Sequence, residues 1–217
     1  MASEEEGRVI LIDKPLGWTS FDAVKKVRHL MKVKKIGHAG TLDPLATGLL
    51  ILCTGKMTKQ IEHFQSMEKE YTGKMILGQT TPSHDRETEA TAAVDLSGIS
   101  AETIYSTTEQ FKGVINQVPP LHSAIKVGGQ RAYTLARSGK AIELKAREVT
   151  IYHFEITAIQ FPEIAFRVTC SKGTYIRSLA RDFGEALGVG AYLSELCRIR
   201  IGHFSLDQAL PMEQIAT

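Results

Sequence analysis

Apolar positions change their spacing several times along the chain, and each spacing predicts an element. Between residues 21 and 31 apolar side chains recur at helical spacing, after Ser20, which we expect to cap the helix. Alternation over Lys69–Leu77 predicts instead a strand in which Tyr71 and Met75 share one side. The chain therefore mixes amphipathic helices with strands.

Shorter apolar runs between Gly, Pro, Ser and Asp residues predict the remaining elements. We expect strands at residues 9–12, 49–53, 125–127, 147–159, 163–171 and 196–204, and helices at residues 57–64, at residues 100–112, before Gly139, and at residues 177–187 with a buried stripe of Leu179, Phe183, Ala186 and Leu187. Residues 78–100 are rich in Thr, Ser, Asp, Glu and Gly with little periodicity, which indicates an exposed connector or an irregular hairpin.

The composition is that of a globular protein with a real core. The chain has 217 residues, of which 43% are hydrophobic and 23% charged. No apolar stretch approaches the roughly 20 residues that cross a bilayer, and the acidic start of the chain is unlike a signal peptide. The cysteines are three and far apart, which argues against a disulfide framework or a zinc site and favours core positions. We therefore expect a cytoplasmic protein without a membrane partner.

One carboxylate, Asp43, lies in a turn rich in Gly, Thr and Pro that precedes an apolar run. Glycine permits backbone conformations that other residues resist, and Pro44 disfavours helix at Asp43 itself. The Asp43 side chain should therefore hold one direction. An alternative role is that of a residue that only stabilises its own turn.

Basic residues are concentrated just before this turn. The formal net charge is only +2, yet residues 23–42 contain no carboxylate. Six basic residues are candidates for contact with a polyanion backbone: Lys25, Lys26, Arg28, Lys32, Lys34 and Lys35. Further candidates are Lys126, Arg131, Lys145 and Arg147. A solvated helix face is the plain alternative for such a cluster.

Short sequence blocks, in order along the chain, carry a family resemblance. They read LIDKPLGWTS at 11–20, GHAGTLDPLATG at 37–48, KEY at 69–71, QVPPLHSA at 117–124, SKGTYIR at 171–177 and LGVGA at 187–191. Over residues 8–205 the chain thereby resembles the bacterial tRNA pseudouridine synthase B family. Two positions depart from the family pattern: residues 79–85 replace a Thr-Asp-Thr-like run, and His122 stands where a tyrosine is common.

The resemblance implies an α+β pseudouridine synthase fold, in which helices flank a mixed, mostly antiparallel sheet with a central catalytic cleft. It implies an isomerase that needs no metal or cofactor. The substrate would be the uridine in the T loop of tRNA, whose glycosidic bond to N1 is broken and remade to C5. The resemblance further implies a monomer without an obligate protein partner and a single catalytic domain over residues 1–217. Members commonly carry a C-terminal PUA domain, and because the chain stops at Thr217 we expect that this domain is missing or was removed.

The resemblance also assigns roles to side chains. Asp43 would be the nucleophile, at ribose C1′ or at C6 of the base, or would assist a glycal route. Arg177 would pair with this carboxylate, and Tyr71 would stack on a flipped-out base and offer a hydroxyl for proton transfer. The other predicted contacts are His38, Tyr175, Leu196 and Lys14 to the substrate, and Arg198 to the RNA backbone. Lys14 and Arg198 have the alternative role of supporting the cleft.

Other functions remain open at this stage. A non-catalytic RNA-binding module would need only the basic clusters and Tyr71, with Asp43 as a structural residue. A hydrolase or phosphotransferase would use Asp43 as its nucleophile, but such enzymes usually carry metal-binding carboxylates or a glycine-rich phosphate loop, and neither stands out. A guide-RNA-dependent synthase would rely on a PUA domain and protein partners.

Overall fold

The computed structural model of the protein describes residues 7–121, 126–127, 130–131 and 144–215. The α-helices of this part are α1 (Ser20–Met31), α2 (Ile61–Ser66), α3 (Ala101–Thr107) and α4 (Ile176–Ala186), and short 3₁₀ helices lie at Gly55–Gln60, Thr108–Phe111, Leu206–Gln208 and Met212–Gln214. The strands are β1 (Val9–Lys14), β2 (Ile36–His38), β3 (Ala46–Thr54), β4 (Lys69–Leu77), β5 (Gly113–Gln117), β6 (Lys126–Val127), β7 (Gln130–Arg131), β8 (Arg147–Gln160), β9 (Glu163–Cys170), β10 (Ala191–Ile201), β11 (Phe204–Ser205) and β12 (Leu210–Pro211). The expected α+β class is confirmed.

The chain divides into two compact units. Unit 1 comprises Met1–Thr72 and Glu195–Thr217, and unit 2 comprises Gly73–Ser194. In unit 1 the strand β3 is central, with β1 antiparallel along one edge. The other edge of β3 pairs with β10 in parallel over its first residues and with β2 in antiparallel fashion over its last. The connection from β2 to β3 therefore leaves the sheet beside β10.

The unit 1 sheet is covered on both faces, which explains why β3 is an unbroken apolar run. On one face Leu50 packs with Val24 and Val27 of α1. On the other face Leu49 belongs to a cluster with Phe64 of α2. Because packing fixes β3 on both faces, the turn that leads into β3 ends at a strand that cannot easily shift.

Unit 2 is organised around antiparallel strands β9, β8 and β5. Phe154 of β8 lies at the centre of an aromatic cluster, with ring centroids 6.0 Å from Phe166 of β9 and 5.5 Å from Phe183 of α4. Phe111 completes the cluster at 6.4 Å from Phe154. Edge-to-face packing of this kind fixes α4, and with it the residues at the start of α4, against the sheet.

The structure corrects several sequence expectations. Thr19 is the N-cap of α1 and forms a capping box with Asp22, so Ser20 is the first helical residue and not the cap. Phe21, expected on the buried face, is 55% exposed because the buried stripe runs through the positions of Ala23 and Val27. Strands β2, β5, β7, β11 and β12 were not anticipated, β10 begins before and ends earlier than the strand expected at 196–204, and Ala186 is exposed.

Some expectations fall on other parts of the chain. The helix before Gly139 and the position of Ile125 lie outside the described residues. Within the described ranges, none of the helices combines the length and the apolar character that a membrane crossing requires.

Candidate active site

The Asp43 turn, defined here as residues 40–45, joins β2 to β3 in unit 1. Gly40 begins it with a backbone φ of +99°, a conformation that favours glycine. The Asp43 carbonyl accepts a hydrogen bond from the Ala46 N–H at 3.0 Å, which closes the turn directly before β3. The Asp43 residue is half-buried. The sequence prediction of a carboxylate in a tight turn is therefore confirmed.

Both sequence neighbours of Asp43 are held by hydrogen bonds to residues at or just before the start of α1. The buried Ser20 hydroxyl accepts the Leu42 N–H at 2.9 Å and donates to the Leu42 carbonyl at 3.2 Å. The Gly17 N–H donates to the Pro44 carbonyl at 2.8 Å. Buried backbone groups that are paired in this way resist displacement, because breaking a pair leaves an unsatisfied donor or acceptor.

Arg198 holds the start of the same turn. Its guanidinium donates to the carbonyls of Gly40 at 3.2 Å, Thr41 at 3.5 Å and Leu49 at 2.8 Å. The side chain is only 1% exposed. This burial favours the supporting role that the sequence left open for Arg198 over a contact with RNA phosphate.

Lys14 of β1 pairs with Gly48 of β3, and Gly48 pairs on its other side with Arg198 of β10. Lys14 thus lies beside the Asp43 turn. A Cβ on Gly48 would come within 2.4 Å of the Arg198 carbonyl oxygen, so glycine is needed where these strands meet. The buried Lys14 ammonium donates to the carbonyls of Pro15 at 3.0 Å and Trp18 at 2.6 Å. Burial lowers the pKa of Lys14 to about 8, although the nearby Asp43 carboxylate raises it. These hydrogen bonds hold the segment that follows β1, which agrees with the supporting role that the sequence left open for Lys14.

His38 ends β2, two residues before the turn begins. Burial lowers the pKa of His38 below its usual value, the Gly40 backbone opposes this shift, and the Arg198 charge adds to it. The imidazole is therefore neutral at pH 7. A neutral ring suits hydrogen bonding to an uncharged group better than pairing with phosphate.

Tyr71 and Leu196 also belong to unit 1. Tyr71 lies in β4 and is 8% exposed, directly after Glu70. The Arg200 guanidinium binds the Glu70 and Glu68 carboxylates at 2.7 Å each, which fixes the start of β4. Leu196 is half-buried in β10, opposite Ala46 at the end of the Asp43 turn.

Arg177 lies in the first turn of α4 in unit 2 and is 4% exposed. Its guanidinium donates to the Ser83 carbonyl at 3.3 Å and forms a buried ion pair with Asp85 at 3.5 Å. The Ser83 and Thr81 hydroxyls both donate to the Asp85 carbonyl. Residues 81–85 are thus a largely buried loop, which corrects the expectation of an exposed connector here. The other alternative, an irregular hairpin, agrees with the hydrogen bonds from the Thr91 N–H to the Thr80 carbonyl and from the Val94 N–H to the Gly78 carbonyl, both at 2.9 Å.

Tyr175 precedes Arg177 and is the N-cap residue of α4. Its N–H donates to the Gln117 side-chain oxygen at 2.8 Å, and the Ser178 hydroxyl donates to the Val118 carbonyl at 2.8 Å. Gln117 is 1% exposed. The segment after β5 therefore sets where the chain turns into α4.

The structure brings together some of the predicted site residues. Asp43, Lys14, His38 and Arg198 surround one turn in unit 1, whereas Arg177 and Tyr175 share a helix start in unit 2. The predicted pairing of Asp43 with Arg177 stays a prediction. All of the early basic residues are exposed, namely Lys25, Lys26, Arg28, Lys32, Lys34 and Lys35, as are Lys145 and Arg147, and the side chains of Lys126 and Arg131 lie outside the described set. Among the described residues, no group of three or more His, Cys, Asp or Glu side chains is placed to hold a metal ion.

Comparison with known proteins decides the family. A model described as TruB family pseudouridylate synthase (N terminal domain) matches residues 28–176, and one for a tRNA pseudouridylate synthase B C-terminal domain matches residues 177–217. A tRNA pseudouridine synthase B of Flavobacterium johnsoniae is 53% identical, over 97% of this chain and 96% of the relative. Its namesake in Bacteroides fragilis is 51% identical, over 98% and 94%.

The chain belongs to the TruB family of pseudouridylate synthases. Solved structures share the TruB-type fold with it. One chain of a Cbf5-Nop10-Gar1 complex is 32% identical with a TM-score of 0.76, over 97% of this chain and 53% of that one. A chain of an H/ACA RNP bound to a substrate RNA containing 2′-deoxyuridine is 30% identical with a TM-score of 0.71, over 94% of this chain and 51% of that one. This chain thus spans about half of those chains, and the expected pseudouridine synthase fold is confirmed.

Sequence reasoning missed the positioning roles of several residues. Ser20 was read as a helix cap, and its bonds to Leu42 join residues 22 positions apart, so no local pattern shows them. Asp85 lies in the run where the family pattern has an aspartate between threonines, which is the signal that would have found it. Gln117 lies in the sequence block at 117–124, and the family resemblance assigns it no role.

Proposed function

We propose that this protein converts the T-loop uridine of tRNA to pseudouridine, with Asp43 as the catalytic carboxylate. The observation that carries the proposal is the anchoring of the Asp43 turn on both sides, through Leu42 and through Pro44. A carboxylate that only stabilised its own turn would not need such anchors. Relatives about half identical to this chain bear the name tRNA pseudouridine synthase B, which supports the substrate.

The reaction needs the uridine outside its stack, at a cost of a few kcal/mol. The N1–C1′ bond then breaks, the freed uracil turns, and a C5–C1′ bond forms. The C5 proton leaves and N1 gains a proton, so the product is an isomer of the substrate. Asp43 attacks C1′ or C6, or assists a glycal route, and remains available for the next turnover in each case.

Each supporting residue has a proposed task that fits its surroundings. The Lys14 ammonium supplies positive charge beside the Asp43 carboxylate and favours its ionised form. Tyr71 offers an aromatic face for the uracil and a hydroxyl for the C5 proton. Arg177 stabilises charge that develops on the carboxylate, and its bonds to Ser83 and Asp85 hold its direction.

Neutral His38, Tyr175 and Leu196 contact the substrate in this proposal, and the exposed early lysines bind the RNA backbone. We further propose that the chain acts in the cytoplasm as a monomer without a protein partner. Size-exclusion chromatography with light scattering, alone and with tRNA, tests the monomer.

The proposed function is tested by tritium release from a tRNA transcript whose uracils carry tritium at C5, followed by mapping of pseudouridine. We expect release from the wild-type protein and a single modified position in the T loop. Asp43→Asn should abolish release while tRNA affinity stays within about tenfold of wild type, since the isostere removes charge and not shape.

Asp207→Asn is the matched control, because Asp207 is exposed in a surface 3₁₀ helix, and we expect wild-type release from it. Tritium release by Asp43→Asn would remove Asp43 from its role. Binding of tRNA by the wild-type protein without any release would support a non-catalytic RNA-binding module instead.

A further inference from the structure

Three exposed apolar residues lie in the Asp43 turn or in the chain segment that is hydrogen-bonded to it. They are Leu16, Phe21 and Leu45, with exposed fractions of 64%, 55% and 37%. Each is next in sequence to a residue whose hydrogen bond anchors the turn: Leu16 precedes Gly17, Phe21 follows Ser20, and Leu45 follows Pro44. The backbone of these three residues, here called the apolar rim, is therefore held at or near the Asp43 turn.

Phe21 lies on a basic stripe of α1. The Lys25 ammonium lies over its ring, 4.7 Å from the centroid. Helical spacing of four and seven residues places Lys25 and Arg28 on the same stripe of α1 as Phe21, and both are exposed. The one carboxylate in this stretch, Asp22, is bound in the capping box with Thr19.

An exposed aromatic ring within a basic stripe matches the chemistry of unpaired RNA. Unpaired nucleic acid combines flat bases, which stack on aromatic side chains, with phosphates, which attract lysines. An uncharged protein surface would match the ring but not the charge of the stripe, and an acidic one would match the charge but offer no flat bases to stack on the ring. The position beside the Asp43 turn also fits, because a base removed from its stack leaves neighbours that have lost a stacking partner.

We propose that Phe21 and Lys25 form a stacking site for an unpaired loop nucleotide of the RNA substrate, beside the everted uridine. The base lies against the Phe21 ring and the rim, while the Lys25 ammonium faces its phosphate. This inference rests on the proposed function and adds to it a residue that binds the RNA without touching the reacting atoms. Stacking there replaces part of the base stacking that eversion removes.

The test measures tRNA binding by nitrocellulose filtration in the inactive Asp43→Asn background. Phe21→Leu keeps an apolar side chain but removes the aromatic face, and should weaken affinity about tenfold, the loss of one base stack. Phe21→Trp should keep or improve affinity. In the active background Phe21→Leu should raise KM by a similar factor and leave kcat within about twofold.

Tyr105→Leu is the matched control. Tyr105 is 51% exposed on α3, a helix with Glu102 in its first turn and no basic residue in its last. We expect tRNA affinity and KM to be unchanged in this variant. Thermal unfolding of both leucine variants should match wild type, since both side chains are exposed.

Photocrosslinking then locates the base. Transcripts that carry 5-iodouridine at one T-loop position at a time should crosslink to Phe21 at a position other than the reacting one. Wild-type affinity in Phe21→Leu, or equal loss in Tyr105→Leu, would overturn the stacking site while tritium release still supports the proposed function. Absence of release from the wild-type protein would instead overturn the function itself.

Discussion

At the scale of single residues, Gly48 occupies the position that lets two cations approach the Asp43 turn. Its neighbours in register are Lys14 on β1 and Arg198 on β10, and both side chains are fully buried. Buried cations are costly unless they are hydrogen-bonded. Lys14 donates to carbonyls of the segment that follows β1, and Arg198 donates to the carbonyls of Gly40 and Leu49 before and after the carboxylate, so both cations are hydrogen-bonded.

The depressed pKa of Lys14 predicts a pH-dependent stability. The folded pKa is about 8 and the ordinary value 10.5, so between these values the unfolded chain binds more protons and the free energy of unfolding rises with pH. Compared with Lys14→Met, which has no titrating group at this position, wild type should gain on the order of 2 to 3 kcal/mol in free energy of unfolding as the pH rises through this window. Urea unfolding at pH 7, 9 and 10 measures the gain, and a difference independent of pH would contradict it.

At the scale of elements, the sequence predicted the strands and helices with a strong period and missed those without one. Lys69–Leu77 was predicted with its observed bounds because its alternation is regular. Strand β2 has three residues and takes its place only by pairing with β3, which no local pattern encodes. The polar Thr, Ser and Asp residues at 81–85 predicted an exposed loop. The buried Arg177 guanidinium instead binds the Ser83 carbonyl and the Asp85 carboxylate. Contacts between distant residues therefore limit what sequence alone can predict.

The hydrogen bonds between Ser20 of α1 and Leu42 of the Asp43 turn allow the effect of the turn on catalysis to be tested separately from helix capping. Ser20→Ala removes both hydrogen bonds to Leu42 and leaves the Leu42 N–H unsatisfied, so we expect about 1 to 3 kcal/mol of lost stability. Because the turn loosens, kcat should fall at least tenfold while KM changes little.

Thr19→Ala is the control for this variant. It removes the N-cap, whose hydrogen bonds go to Asp22, and should cost about 1 kcal/mol of stability without lowering kcat. Unfolding in urea and tritium release together measure both effects. Equal losses of kcat in the two variants would mean that helix stability, and not the turn, determines activity.

At the scale of the whole molecule, the uneven distribution of charge matters more than its sum. A net charge of +2 would attract RNA only weakly if it were spread evenly. Residues 23–42 instead carry exposed cations without any carboxylate and lead directly into the Asp43 turn. Elsewhere acidic partners offset basic residues, as Glu109 does for Lys112.

This distribution predicts which lysines determine the salt dependence of tRNA binding. Each phosphate contact contributes about 0.7 to 0.9 to the slope of log K against log salt. The double variant Lys34→Gln/Lys35→Gln, in the Asp43→Asn background, should therefore lower the slope by about 1.4 to 1.8 if both exposed lysines bind phosphate. Lys112→Gln should leave the slope unchanged, because Glu109 already pairs with this lysine. Filter binding between 50 and about 200 mM salt measures the slopes. An equal decrease in both variants would show that net charge, and not this surface, attracts the RNA.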